Sequence, residues 1–97
     1  MPTHTETDRF WRDWRGLTKE QKKSFRKAVK DFIEDLATGQ FRKGLRVGHI
    51  EGTDSIFEMT WEGSNGRATF QYGPEVQPGQ AHVIWRRVGT HDIFRNP

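Results

Sequence analysis

The fold is decided by residues 56–72, which read IFEMTWEGSNGRATFQY. Each half of this stretch alternates between apolar and polar side chains, and a period of two residues is typical of a strand with one buried face. Between the halves lies Gly63-Ser64-Asn65-Gly66, a turn signal because Asn-Gly readily adopts the positive φ of a tight hairpin. The stretch therefore predicts a β-hairpin with strands over Ile56–Glu62 and Arg67–Tyr72.

Upstream of the hairpin, from Asp8 to Leu36, the apolar residues recur at helical spacing. Thr18-Lys19-Glu20-Gln21 has the form of a capping box, which predicts a helix start, and Gly39 suits the left-handed residue that ends a helix. Between them one apolar stripe is formed by Phe25, Ala28, Val29, Phe32, Ile33 and Leu36. A shorter helix before it carries Phe10, Trp14 and Leu17, with Gly16 placed to stop it. The short connection predicts an antiparallel helical hairpin.

Two further strands complete the predicted order of elements. Leu45–Ile50 precedes the hairpin, and Ala81–Val88 follows it; the second is the most continuously apolar and is expected at the centre of the sheet. A short strand before Asp8 would be a fifth. The sequence thus predicts an α+β fold in one domain, residues 1–97, with the helical hairpin packed on a small, mainly antiparallel sheet of four or five strands. The sheet face toward the long helix would carry Phe57, Met59, Trp61, Phe70 and Tyr72.

The composition excludes several classes of protein. Cysteine is absent, which rules out disulfide scaffolds and zinc–thiolate sites, and His49, His82 and His91 match no metal-binding spacing. We therefore expect neither a metal nor another cofactor. No apolar run approaches the roughly 20 residues of a membrane span, and no signal-peptide core follows Met1. These features predict a cytoplasmic protein without a membrane partner.

The net charge of +3 is distributed unevenly, with +5 over residues 1–50 and −2 over residues 51–97. Basic side chains crowd the start of the long helix and the loop after it: Lys19, Lys22, Lys23, Arg26, Lys27, Lys30, Arg42, Lys43 and Arg46. Helix dipoles favour acids first, so helix stability does not explain this order, and binding of RNA phosphates is one interpretation. The other is a solvated helix face with weak Lys27–Asp31 and Lys30–Glu34 pairs.

The polar face of the predicted sheet carries the candidate chemistry. Arg67 begins one strand, Arg86 and Arg87 end another, and His91 follows soon after. If these strands are neighbours, the four side chains converge at one edge. Arginine binds phosphate through paired hydrogen bonds and histidine transfers protons near neutral pH, so such a set could cleave RNA without a metal. The alternative is that arginines at strand ends simply face water.

Several segments occur in a recognisable order and at characteristic lengths. They are Phe10-x3-Trp14-x2-Leu17-Thr18-x-Glu20, Leu45-Arg46-Val47, residues 56–61, residues 66–72, and the closing residues 85–94, WRRVGTHDIF. In this order, from Asp8 to the end, the chain resembles the RelE/ParE superfamily of bacterial toxins, the toxin halves of type II toxin–antitoxin modules. The resemblance implies a helical hairpin on a small antiparallel sheet and a cognate antitoxin that covers the sheet edge or the helical hairpin.

The resemblance also implies a function and a set of site residues. RelE-like members cleave mRNA on the ribosome and so inhibit translation, whereas ParE-like members inhibit DNA gyrase; a third possibility is a non-catalytic member that acts only by binding. In the nuclease case the expected partners are the ribosome and mRNA. Arg67 and His91 fall at matching positions, and Phe94 replaces a tyrosine that some members use. The candidate catalytic residues are His91, Arg67, Arg87, Arg86 and Glu58, with His49 as a further assisting group.

Overall fold

The structure, a computed structural model, describes residues 2–61 and 65–97. Within these ranges the regular elements are β1 (Thr3–Glu6), α1 (Asp8–Arg15), α2 (Lys19–Thr38), β2 (Gly48–His49), β3 (Phe57–Trp61), β4 (Gly66–Gly73) and β5 (His82–Thr90). Short 3₁₀ helices cover Lys43–Leu45 and His91–Arg95. Of the predicted hairpin, the strand residue Glu62 and the turn residues Gly63 and Ser64 lie outside the described residues.

Both helices begin and end at residues that satisfy the main-chain groups of the helix ends. Thr7 caps α1, its hydroxyl accepting from the Phe10 amide, and the predicted capping box of α2 forms between Thr18 and Gln21. Gly39 ends α2 at φ 79°, a conformation that costs a glycine little because it has no Cβ. The two predicted helices and their signals are therefore confirmed.

The five strands form one sheet in the order β1-β5-β4-β3-β2. β2, β3, β4 and β5 pair antiparallel, while β1 runs parallel to β5. The α+β fold is confirmed, including the fifth strand before Asp8 and the interior position of the apolar strand β5. His82 of β5 is buried and fastens β1, since its two ring nitrogens hydrogen-bond the hydroxyls of Thr3 and Thr5 at 2.7 and 3.3 Å.

The core lies between α2 and one face of the sheet. Phe25 and Phe32 of α2 contact Trp85, Trp61 and Phe70 through tilted and edge-to-face ring pairs. Four of the five predicted core residues of the hairpin pack in this cluster: Phe57, Met59, Trp61 and Phe70. Tyr72 differs, because it is 43% exposed near the end of β4.

The strand predicted over Leu45–Ile50 is much shorter in the structure. Leu45 lies in a 3₁₀ turn and is buried in the core, and Arg46 follows it at a left-handed φ of 47°. This reversal cannot pair with a neighbouring strand, so β2 contains only Gly48 and His49. Leu45 therefore packs in the core from a turn and is not part of a strand.

Candidate active site on the sheet

The two adjacent arginines of β5 lie at a β-bulge. Thr69 of β4 pairs with Arg87 and Phe70 pairs with Trp85, so Arg86 is the extra residue on β5. A bulge shifts the alternation by one residue, so the adjacent Arg86 and Arg87 both lie on the face away from the core. Because Trp85 and Val88 flank them and both face the core, the strand remains buried on one side.

The guanidinium group of Arg87 is bound within the protein. Its Nε and Nη2 donate to the carboxylate of Asp13 in α1 at 2.7 and 3.0 Å, and its Nη1 donates to the main-chain oxygen of Asn96 at 3.0 Å. The paired Nε and Nη2 edge, which is the arrangement that would grip a phosphate, is thus occupied by a carboxylate.

Two of the three guanidinium nitrogens of Arg86 donate hydrogen bonds within the protein. Its Nη1 donates to Gln71 at 2.6 Å and its Nε to the main-chain oxygen of Pro97 at 3.2 Å. Among residues 2–61 and 65–97 no hydrogen bond engages its Nη2. Arg86 can therefore still offer one donor to an anion.

Residues 91–97 turn back over the polar face of the sheet. Ile93 is buried there, so close to Gly89 that a Cβ at Gly89 would lie 2.9 Å from its Cγ2. At the far end the Thr69 hydroxyl donates to the Pro97 oxygen at 3.1 Å. We call residues 91–97 the closing segment. It covers part of the polar face of the sheet.

The strand register places Arg67 and the residue before His91 at the same end of the sheet. Thr90 pairs with Gly66 and Gly89 with Arg67, so the start of the closing segment lies beside the first residues of β4. His91 is exposed, and its ring stands edge-on to Phe94 at a centroid distance of 4.9 Å. The Arg67 Nη1 donates to the Gly66 oxygen at 3.0 Å.

Glu58 lies on the same face, one strand further out. It pairs with Thr69, which in turn pairs with Arg87, so the three side chains form one row across the sheet. Its side chain is half-buried and makes no hydrogen bond or ion pair within the described ranges. His49 is separate from this row because it pairs with Phe57, whose ring it contacts on the helix side of the sheet.

In the part of the chain that the structure describes, no group of three or more histidine, aspartate or glutamate residues could hold a metal ion.

The predicted basic surface on α2 has two parts. Arg42 is bound to the acidic end of the helix, where it forms ion pairs with Asp31, Glu34 and Asp35. The hydrogen bonds to Asp35 raise the pKa of the Arg42 guanidinium and lower that of the Asp35 carboxyl. No Lys27–Asp31 or Lys30–Glu34 ion pair forms within 4 Å.

The remaining basic residues of α2 face solvent or an aromatic ring. Lys22 and Arg26 lie over Trp14, at 5.6 and 5.2 Å from the ring centre. Besides Lys22 and Arg26, the basic side chains of this surface that make no ion pair in the described ranges are Lys19, Lys23, Lys27, Lys30, Lys43 and Arg46, all exposed. Six positive charges are thus available to a polyanion.

An apolar groove of about 180 Å³ opens on the other side of the sheet, between the helices and β1. Its walls include Trp11, 41% exposed, and Val29, Ile33 and Leu36, the half-buried part of the α2 stripe. The side chains of His4 and Glu6 in β1 hydrogen-bond each other at its rim. The sequence predicted Val29, Ile33 and Leu36 as part of the apolar stripe of the long helix but could not place the groove.

Neither a family model nor a curated protein matches the chain. Solved structures do match its fold. One is a chain of the RelB–RelE antitoxin–toxin complex from Methanococcus jannaschii, with a TM-score of 0.60, 14% identity and coverage of 94% of both chains. Another is a metal-bound toxin from Helicobacter pylori, with a TM-score of 0.63, 16% identity and coverage of 95% of this chain and 97% of that one. The chain therefore has the fold that its resemblance to RelE/ParE toxins predicted.

Proposed function

We propose that this chain is the toxin of a toxin–antitoxin pair and that it cleaves mRNA on the ribosome as a metal-independent endoribonuclease. The observation that carries the proposal is the strand register, which brings Arg67 and the segment that begins with the exposed His91 to the same end of the sheet. The shared fold supports the toxin role, because it extends over nearly the whole length of two toxin-related structures.

The chemistry would divide between proton transfer and charge stabilisation. A base removes the proton of the ribose 2′-OH, the 2′-oxygen attacks the adjacent phosphorus, and the 5′-oxygen leaves with a proton from an acid. His91 is our candidate for one of these proton transfers, and Glu58, half-buried and without an ion pair in the described ranges, is the candidate for the other. Arg67, with help from the open Nη2 of Arg86, would stabilise the negative charge on the phosphate.

Arg87 has a different role in this proposal. Its paired donors are bound to Asp13, so it acts as a support for the site and not as a phosphate clamp. The exposed lysines of α2 would bind the phosphates of a large RNA with little demand on geometry.

The antitoxin partner fits the apolar groove between the helices and β1. The groove exposes Trp11 together with aliphatic side chains of α2, and it is bordered by β1, an edge strand of the sheet. Such a surface receives an extended or helical peptide with apolar side chains. The similarity to a chain of a complex that contains both RelB and RelE supports an antitoxin partner.

Induced expression tests the nuclease proposal. We expect growth arrest with cleaved mRNA for the natural chain, and recovery of growth with intact mRNA for His91→Ala and for Arg67→Ala. Arg15→Ala is the matched control, since Arg15 is an exposed arginine on α1 away from the polar face. If the His91 and Arg67 variants remain as toxic as the control, the assignment of the site is wrong.

The internal bonds of Arg86 and Arg87 favour a second candidate, a toxin that acts by binding alone. With these donors occupied and Phe94 in place of a tyrosine, fewer groups remain for catalysis. Growth arrest with intact mRNA and broken DNA would indicate gyrase as the target, as in ParE-like toxins. Normal growth without an antitoxin would indicate a non-toxic binding protein.

A further inference from the structure

The carboxylate of Asp13 has three hydrogen-bond donors around it, although Asp13 lies in α1 and far from β5 in the sequence. Oδ2 accepts from the Nε of Arg87 at 2.7 Å and from the Val88 amide at 3.2 Å, and Oδ1 accepts from the Nη2 of Arg87 at 3.0 Å. The two side chains are only 17% and 15% exposed. A two-point ion pair with this little solvent holds one geometry far better than a surface pair.

The Asp13 carboxylate binds β5 at an edge that β1 does not cover. β1 pairs with β5 only up to Trp85, and beyond it the chain turns into α1. The first main-chain groups past that point are satisfied by Thr7, whose amide donates to the Trp85 oxygen and whose hydroxyl donates to the Arg86 oxygen. The Asp13 carboxylate then accepts a hydrogen bond from the Val88 amide. It thus satisfies a main-chain donor of β5 beyond the point where β1 ends.

Arg87 extends this link to the closing segment. Its third donor, Nη1, binds the Asn96 oxygen at 3.0 Å, so one guanidinium joins α1 to the residues that follow His91. Ile93 anchors the middle of the same segment over Gly89. His91 therefore lies between the end of β5 and a segment whose far end is bound by Arg87 at Asn96 and by Thr69 and Arg86 at Pro97.

We propose that Asp13 is a positioning residue for the candidate site: by fixing Arg87 it sets the closing segment and with it the ring of His91. The inference rests on the proposed function for its catalytic consequence. The structural link from Asp13 through Arg87 to the closing segment is independent of that function and can be measured without RNA.

Two variants separate positioning from mere stability. Asp13→Asn removes the charge and one acceptor, and Arg87→Lys keeps the positive charge but loses the paired donors. Asp8→Asn is the matched control, because it makes the same chemical change on α1 where no ion pair exists in the described ranges.

The first readout is the NMR spectrum of the His91 ring, whose protons report the edge-on contact with Phe94. We expect both variants to move these signals toward those of an exposed histidine and to speed amide exchange at Asn96 by about tenfold, as loss of a charged hydrogen bond implies. Asp8→Asn should leave them unchanged. If Asp13→Asn and Arg87→Lys lower the melting temperature but leave the His91 signals in place, Asp13 is only a structural support and the proposal is overturned.

The second readout is cleavage of ribosome-bound mRNA. We expect kcat to fall about tenfold in both variants while KM changes less than threefold, because the misplaced group acts in the chemical step. A change confined to KM would overturn the positioning role. If the natural chain cleaves no RNA, the proposed function fails, and the NMR signals still decide whether Asp13 controls the closing segment.

Discussion

Arg86 and Arg87 are neighbours in the sequence, but one β-bulge gives them different surroundings. In a regular strand they would point to opposite faces, and the bulge puts both on the polar side. Arg87 then reaches Asp13, whereas Arg86 reaches Gln71 and the closing segment. The residues that sequence analysis grouped as phosphate clamps therefore divide into a support and a partly available donor.

A glycine decides how closely the closing segment can approach β5. A Cβ at Gly89 would lie 2.9 Å from Ile93, so Gly89→Ala should push Ile93 outward. We expect a loss of about 1–3 kcal/mol in the free energy of unfolding, as found for overpacked sites, measured by urea denaturation. Gly48→Ala is the control because a Cβ there meets nothing within 4 Å. Equal effects of the two substitutions would contradict the close packing described for the segment.

At the scale of elements, α2 has separate basic and acidic ends. The acidic end binds Arg42 from the following loop, which explains why the predicted lysine–acid pairs within the helix do not form. The lysines of the first turns are left without intrahelical partners among the described residues.

The Arg42 cluster gives the fold a dependence on pH. The bond to Arg42 lowers the pKa of Asp35 from its ordinary value of 3.8, so the cluster stabilises the fold above that pH and loses its effect as pH falls through the lowered value. We expect the melting temperature of the natural chain to drop more between pH 6 and about 2.5 than that of Arg42→Met. Because the cluster is exposed, the difference should shrink in high salt. Parallel pH profiles of the two proteins would refute this role.

The lysines of α2 should determine the salt dependence of RNA binding. Replacing Lys23 and Lys27 with glutamine removes two charges, so we expect weaker binding to a single-stranded RNA and a slope of log K against log salt that is smaller by about 1.4. Fluorescence anisotropy at several salt concentrations measures the slope. Lys27→Arg is the control because it keeps the charge. An unchanged slope in the glutamine variant would place the RNA elsewhere.

Local signals predicted most of the elements, and long-range contacts account for what the sequence could not show. The capping box, Gly39 and the alternation around Met59 act within a few residues, so the helices and the hairpin strands could be predicted. The bond between Asp13 and Arg87 joins residues 74 positions apart, and the return of Ile93 over Gly89 depends on the bulge. Neither leaves a periodic pattern in the sequence.

At the scale of the whole molecule, the two proposed surfaces lie on opposite sides of the sheet. The groove is lined by Val83 and Trp85 on the core side, whereas Arg67 and Glu58 lie on the other side by strand register. An antitoxin segment in the groove would leave the polar face open unless it also continued around a sheet edge. Toxicity and neutralisation should therefore be separable by mutation.

Trp11 offers the test of that separation. We expect Trp11→Ala to remain toxic but to lose rescue by co-expression of the cognate antitoxin, with affinity reduced roughly thirtyfold or more, as for a central aromatic contact. Tyr72→Ala is the matched control, since Tyr72 is similarly exposed but does not line the groove. Full rescue of the Trp11 variant would exclude the groove as the antitoxin site.

The most direct test of the central claim uses purified ribosomes that carry a defined mRNA. Primer extension should reveal new 5′ ends within the mRNA when the natural chain is added in the presence of a metal chelator that leaves the ribosomes intact. His91→Ala should slow their appearance by about 10²–10⁴-fold, the usual contribution of a general acid or base. Cleavage by His91→Ala at the natural rate, or no cleavage by the natural chain, would contradict the account.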